Sequence, residues 1–148
     1  VFSVILEMAG VLDFPRFLHE RAAEQDFFRL LKNRRELCRG SVVHCCTGTR
    51  GTAYRYLQLG CYIGITGWIC DDRRNRDVVE AVRVIPLERL MIETDAPYLT
   101  PLNIRGLSRR NVPSNIVYVA ERIAEIKGVD VETVKKIALE TTRTFFSV

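Results

Sequence analysis

Apolar residues along the chain change their period several times, and the changes mark out its elements. Residues 1–13 are apolar with a helical tendency and stop before Pro15. Arg16-Phe17-Leu18-His19 reads as a short strand. Ala23, Phe27, Leu30, Leu31 and Leu37 then fall near helical spacing with charges between them, which predicts an amphipathic helix over 21–37, ended by Gly40. Ser41-Val42-Val43-His44 is short and β-branched, a second strand, and runs into Thr47-Gly48-Thr49. A helix through Ala53, Tyr56 and Leu57 stops at Gly60. Cys61 to Thr66 forms a third strand, followed by the loop Asp71-Asp72-Arg73-Arg74. Val78, Val79, Val82 and Ile85 make a helix stripe closed by Pro86. Leu90-Met91-Ile92-Glu93 is the fourth strand, and a long polar loop leads through Asp95 to Pro113. Of the two closing helices, one carries Ile116, Val119, Ala120 and Ile123 and stops at Gly128. The other opens at Asp130 as N-cap and carries Val134, Ile137, Ala138 and Phe145.

Strand and helix thus alternate four times, which argues for a parallel sheet. The strand-to-strand spacing of about 25–30 residues is that of a (β/α) barrel unit. The predicted fold class is α/β: a partial TIM-type (β/α) barrel of about four parallel strands, with flanking helices on one side, over residues 1–148. A complete barrel has eight such units and roughly 250 residues. Half a barrel leaves two sheet edges free, so self-association through them is expected.

Composition narrows the class. With 47% hydrophobic and 27% charged residues, the chain can build a core and is not disordered. A net charge of +4 is compatible with a phosphate-bearing partner without demanding one. No apolar run reaches the roughly 18 residues of a membrane span. The apolar opening contains Glu7 and lacks a basic flank, so neither a membrane segment nor a signal peptide is expected. The five cysteines are odd in number, irregularly spaced and without a C-x-x-C, which speaks against a disulfide framework or zinc ribbon. A reducing, cytoplasmic compartment is expected.

Candidate chemistry gathers at strand ends. The only two histidines, His19 and His44, each close a strand, and Asp95 stands just past the fourth. In a parallel barrel these positions share the face where active sites form. Two imidazoles and a carboxylate there suit Zn²⁺, Mn²⁺ or Mg²⁺; otherwise each histidine is an ordinary strand-end residue bonded to a neighbour. Glu93, two residues before Asp95, points to the same side. It either holds a ligand or water from behind, or is a polar residue of the barrel interior. Arg73 and Arg74 after the third strand, and Arg105, Arg109 and Arg110 after the fourth, are candidates to bind phosphate, or else a solvated basic surface. Glu20 is expected to be solvated or part of the loop. Cys45 beside His44 is expected to pack in the core, because adjacent strand residues face opposite ways.

The segments HCCTGT (44–49), YIGITGWICDDRR (62–74), LMIETDAPYL (90–99) and SRRN (108–111) resemble the signatures of TatD-type deoxyribonucleases, of the amidohydrolase-like barrel superfamily. The likeness spans essentially the whole chain. It implies that His19 and His44 are metal ligands from the fifth and sixth barrel strands, and that Asp95 is a ligand and the catalytic carboxylate at the eighth. It implies a divalent metal cofactor, a DNA substrate, and exonucleolytic phosphodiester hydrolysis by metal-activated water. It also implies that the chain is the carboxy-terminal half of such an enzyme. The family's H-x-H motif and bridging glutamate belong to earlier strands, so little or no cleavage by this chain alone is expected. Ala22, Val112 and Arg16 depart from the family pattern. The alternatives are an inactive fragment that binds nucleic acid weakly, and a small-molecule hydrolase, which the arginine loops disfavour.

Overall fold

The computed structural model describes residues 1–148. Strands β1 (Arg16–His19), β2 (Ser41–His44), β3 (Tyr62–Ile65) and β4 (Leu90–Ile92) form one parallel sheet in the order β1-β2-β3-β4. Around it stand α1 (Phe2–Val11), α2 (Glu24–Lys32), α3 (Arg35–Cys38), α4 (Arg50–Leu59), α5 (Arg76–Val84), α6 (Ile116–Lys127) and α7 (Val131–Phe146). Parallel neighbours need crossovers, and helices supply each one. The predicted half-barrel forms.

Strand residues of one parity, such as Leu18, Val43, Ile63 and Leu90, are buried with Leu31 of α2, Tyr56 of α4 and Val82 of α5 in the main core. Each such side chain contributes about 1.5–3 kcal/mol by leaving water. The helix ends follow the sequence. Gly60 and Gly128 adopt left-handed φ of 97° and 66° at the ends of α4 and α6. Asp130 accepts hydrogen bonds from the Glu132 and Thr133 amides to start α7.

Three features differ from expectation. The helix predicted over 21–37 is broken in two. Ala22 sits at φ 55°, so α2 begins only at Glu24. Glu20 is part of the loop after β1, as expected, and its carboxylate accepts the Ala23 amide at 2.6 Å. Arg34 leaves helical geometry (φ −133°, ψ 44°), and its Nε reaches Glu7 of α1 at 3.0 Å. Nor do the helices keep to one side. α7 lays Phe145 on Val42 and Met91, which have the opposite strand parity, with the Tyr62 ring edge-on at 5.1 Å. This covers apolar side chains on the sheet face opposite the main core. Finally, Arg16 lies inside a strand yet is only 8% exposed. Its Nε donates to Ser41 Oγ at 3.1 Å, and that hydroxyl donates on to Leu37 O at 2.8 Å, offsetting the cost of burial.

The outer edges of β1 and β4 have no strand partner. Beside β1, helix α1 buries Leu6 alone and exposes Val4, Ile5, Met8 and Val11. All five cysteines are free thiols. No helix is long and apolar enough to cross a membrane.

Candidate active site

Parallel strands bring all their carboxyl ends to one edge, and four of the predicted residues meet there. His19 and His44 are register partners across β1 and β2, with ring centroids 5.5 Å apart. The Phe17 ring lies 4.9 Å from that of His44. His44 Nδ1 is 2.8 Å from Glu93 Oε2, and its Nε2 is 3.1 Å from Asp95 Oδ1. Glu93 Oε2 also accepts the Cys45 amide at 3.1 Å. Glu93 reaches from β4 across β3 to β2 because the intervening residue is Gly64. A Cβ there would fall 2.2 Å from Glu93 Oε1. Glu93 Oε1 itself is buried and has no hydrogen-bond partner.

The Glu93 hydrogen bond, together with the charges of Glu93 and Asp95, holds the His44 pKa above the ordinary imidazole value, against the opposing effect of burial. A protonated ring satisfies both carboxylates, donating Nδ1–H to one and Nε2–H to the other. A proton and a divalent cation would compete for the same Nε2 lone pair.

The donor chemistry suits such a cation. Two donors at right angles around one ion, with bonds of about 2.1 Å, stand about 3.0 Å apart. The observed His44 Nε2–Asp95 Oδ1 separation is 3.1 Å. A ligating histidine commonly donates its other N–H to a carboxylate, and Glu93 occupies that position. The His44–Asp95 pair therefore fits. The full set expected from the sequence does not close: no three His, Cys, Asp or Glu side chains stand in metal-holding geometry. His19 is the member left aside. It lies exposed on the edge strand, ring to ring with His44 but bonded to neither carboxylate.

A cavity of about 580 Å³ opens onto this edge, walled by His19, Arg21, Trp68, Arg74, Asp95 and Tyr98. A larger one, about 740 Å³, adjoins it but is lined by Glu20, Glu24, Asp26 and Asp77, with Arg55 the one cation. Those carboxylates repel phosphate, and none of the predicted metal donors lies there.

Of the arginines expected to bind phosphate, the structure brings Arg74 to the cavity wall and leaves Arg73, Arg109 and Arg110 out of it. Asp71 is the reason for the first two. Buried in the loop after β3, it takes Arg73 through two bonds (Nε–Oδ1 2.7 Å, Nη2–Oδ2 2.8 Å) and Arg74 through one (Nε–Oδ2 2.7 Å). Arg109 and Arg110 are exposed on the loop after β4.

The Arg73 hydrogen bond, joined by that of Arg74, lowers the Asp71 pKa to about 2. Its unfolded value is about 3.9. A carboxylate with a depressed folded pKa contributes stability that is complete above the unfolded value and lost as pH falls towards the folded one. Urea midpoints of the wild-type chain should therefore drop between about pH 4 and pH 2 more steeply than those of Asp71→Asn. Parallel pH profiles for the two chains would show that Asp71 contributes nothing to acid stability.

Several wall residues escaped the sequence reading. Asn111 is buried and donates Nδ2–H to Tyr98 O at 2.8 Å, and its amide donates to Pro97 O at 2.9 Å. These bonds pin the loop after β4. The loop also lies directly on Gly67, where a Cβ would meet Leu99 O at 2.0 Å. Tyr98 and Trp68 are thereby held at the cavity. The available signal was position alone, since both follow closely on strand ends. Cys45 differs from expectation as well, because it lines the cavity instead of the core. Its φ of 46° shows that strand alternation has already lapsed there. Burial pushes the thiol up to about 11, so it is no nucleophile near neutral pH.

The sequence matches a family model described as TatD related DNase over residues 1–147. It is 41% identical over 149 aligned positions to the 3'-5' ssDNA/RNA exonuclease TatD of Klebsiella pneumoniae (strain 342), covering 99% of this chain and 57% of that protein. The chain thus spans little more than half the length of the curated relatives it matches. Among solved structures it resembles YJJV, a TatD homologue from Escherichia coli K12, with a TM-score of 0.86 and 30% identity over 97% of this chain and 54% of that one. It also resembles a hydrolase TatD family protein from Entamoeba histolytica, with a TM-score of 0.81 and 26% identity over 97% and 54%.

Proposed function

The chain belongs to the TatD related DNase family, and from that premise we propose that it carries part of the active site of a metal-dependent nuclease that hydrolyses phosphodiester bonds in DNA, working from strand ends. The observation that carries this is the His44–Asp95 pair at 3.1 Å, braced from behind by Glu93. His44 and Asp95, with His19 beside them, would hold Mg²⁺, Mn²⁺ or Zn²⁺. When bound, such an ion supplies Lewis-acid polarisation of a phosphoryl oxygen and lowers the pKa of water.

The chain's own residues do the rest. Glu93 fixes the orientation of the His44 ring, so that Nε2 faces Asp95. Asp95 takes the proton of the attacking water as the new phosphorus–oxygen bond forms, and the leaving oxygen keeps the electron pair of the broken bond and takes up a proton from solvent. Arg74 stands at the cavity wall, while Arg73, Arg109 and Arg110 add longer-range attraction for the polyanion. The remaining ligands belong to the part of the protein that corresponds to the other portion of its relatives. Free thiols suit a cytoplasmic location. The unpaired edges of β1 and β4 favour self-association.

One observation favours the alternative, a chain that binds nucleic acid without cleaving it: no third donor closes on the pair. The two are separated by incubating end-labelled single-stranded DNA with the purified chain and Mn²⁺ or Mg²⁺. At most slow shortening is expected from this chain alone, stopped by a chelator and by His44→Ala. Binding without shortening would establish the alternative, and shortening unchanged in His44→Ala would mark a contaminant. Sedimentation of the same preparation reads its association state; a monomer throughout would remove the self-association.

A further inference from the structure

Resting on the hydrolytic reading above, we infer that the Trp68–Arg74 stack is a platform on which a nucleobase of the bound strand stacks, with Tyr98 as a second aromatic surface beside it. Trp68 is the only tryptophan. The Arg74 guanidinium carbon lies 3.8 Å from its ring centroid, well inside the roughly 6 Å of a cation–π contact. Neither partner is free to swing. Asp71 Oδ2 takes Arg74 Nε at 2.7 Å, and Trp68 Nε1 donates to Arg74 O at 3.4 Å. Asp71 is held in turn by the two bonds from Arg73.

This locking decides what Arg74 can bind. An arginine that clamps phosphate commonly presents two N–H groups side by side. Here Nε is spent on Asp71, and the carboxylate cancels much of the local charge. What remains is a flat cation that is 48% exposed, with one face on Trp68 and the other open. Its Nη atoms make no hydrogen bond within the chain. A planar, rigid surface with two spare donors suits a base, which offers a π face and acceptor edges.

Tyr98 supplies a second aromatic surface in the same cavity. It is 75% exposed, so its ring packs little against the protein, yet its backbone is pinned by Asn111 and by a 2.7 Å bond from its amide to Asp95 O. Asp95 lines the same cavity, so the platform and the carboxylate of the His44–Asp95 pair face one shared space. The cavity volume of about 580 Å³ lies in the range of small-ligand sites.

The sole tryptophan reports the event directly. The chain is titrated with a thymidine tetranucleotide, and separately with an abasic tetramer of equal charge, in chelator so that no cleavage intervenes. Base stacking is worth roughly a fivefold to hundredfold change in affinity per base. The thymidine oligomer should therefore quench Trp68 and bind at least about tenfold more tightly than the abasic one. Arg74→Lys, which keeps the charge and loses the plane, should erase about that difference between the two oligomers. Tyr98→Ser should weaken thymidine binding in the same sense. Circular dichroism checks that both variants fold. Equal affinity for the two oligomers, unchanged thymidine binding by Arg74→Lys, or no quenching at saturation each overturns the platform. None of these outcomes touches the His44 dependence of cleavage. Conversely, base-dependent quenching alongside cleavage indifferent to His44 would remove the hydrolytic reading and leave the platform standing.

Discussion

Asp95→Asn is expected to abolish DNA cleavage, whatever rate the wild-type chain reaches, and to weaken Mn²⁺ binding by about a hundredfold. Losing an outer partner of a metal ligand already costs about 10–100-fold in affinity, and Asp95 stands closer than that. The substitution keeps size and leaves a neutral oxygen near His44 Nε2, so packing is preserved. It removes the negative charge opposite a cation and the only group placed to take the proton of water. The amide of Tyr98 bonds the main-chain oxygen of residue 95, so the loop after β4 stays in place. The Asp95 side chain is 26% exposed, and the melting temperature should change little. Free Mn²⁺ measured by paramagnetic resonance and shortening of an end-labelled strand read the two effects separately. Unaltered Mn²⁺ affinity would take Asp95 out of the site; weakened binding with full cleavage would leave it a ligand but not the base.

The second large effect is expected from the smallest change available, Gly64→Ala. The added Cβ would stand 2.2–2.3 Å from the carboxylate atoms of Glu93. That carboxylate cannot simply step aside, because Oε2 is bonded to His44 Nδ1 and to the Cys45 amide, and the side chain is only 8% exposed. Overpacking of this kind costs about 1–3 kcal/mol. Loss of the brace behind a ligating histidine should cost a further 10–100-fold in metal affinity.

A pH signature accompanies the loss. The His44 folded pKa is raised, chiefly by the Glu93 bond. Its stabilising contribution is therefore complete below the unfolded value of about 6.5 and disappears as pH rises through the folded value. In metal-free buffer, urea midpoints of the wild-type chain should fall as pH rises through neutrality, and those of Gly64→Ala should fall less. Adding Glu93→Ala to Gly64→Ala should restore stability by making room, without restoring metal affinity, a non-additive pair. A Gly64→Ala chain with wild-type midpoints and wild-type Mn²⁺ affinity would show that Glu93 does not brace the site.

The sequence by itself determined the half-barrel and the edge on which the site lies. Both follow from local rules: the alternation of strand and helix patterns makes the sheet parallel, and a parallel sheet puts every strand's last residue on one rim. His19 and His44 could thus be placed together from their positions in RFLH and SVVH, before any distance was known. Contacts between strands were beyond such rules, since they depend on register and on what each neighbour lacks. Nothing in YIGI announces that Gly64 is the gap through which Glu93 reaches His44, because the missing side chain matters only once β4 lies beside β3. The same holds for the arginines. A run of positive charge reads as phosphate binding until the fold buries Asp71 beside it, and a buried carboxylate must be paired with whichever cations are nearest. The left-handed turn at Cys45 brought a residue assigned to the core into the cavity, since strand parity holds only while the strand lasts. Tertiary structure alone decided how the donors meet, because a side chain's partners come from segments that only folding makes adjacent. His44 and Asp95 face each other across the sheet, whereas His19, exposed on the free edge, stands ring to ring with His44 and reaches neither carboxylate.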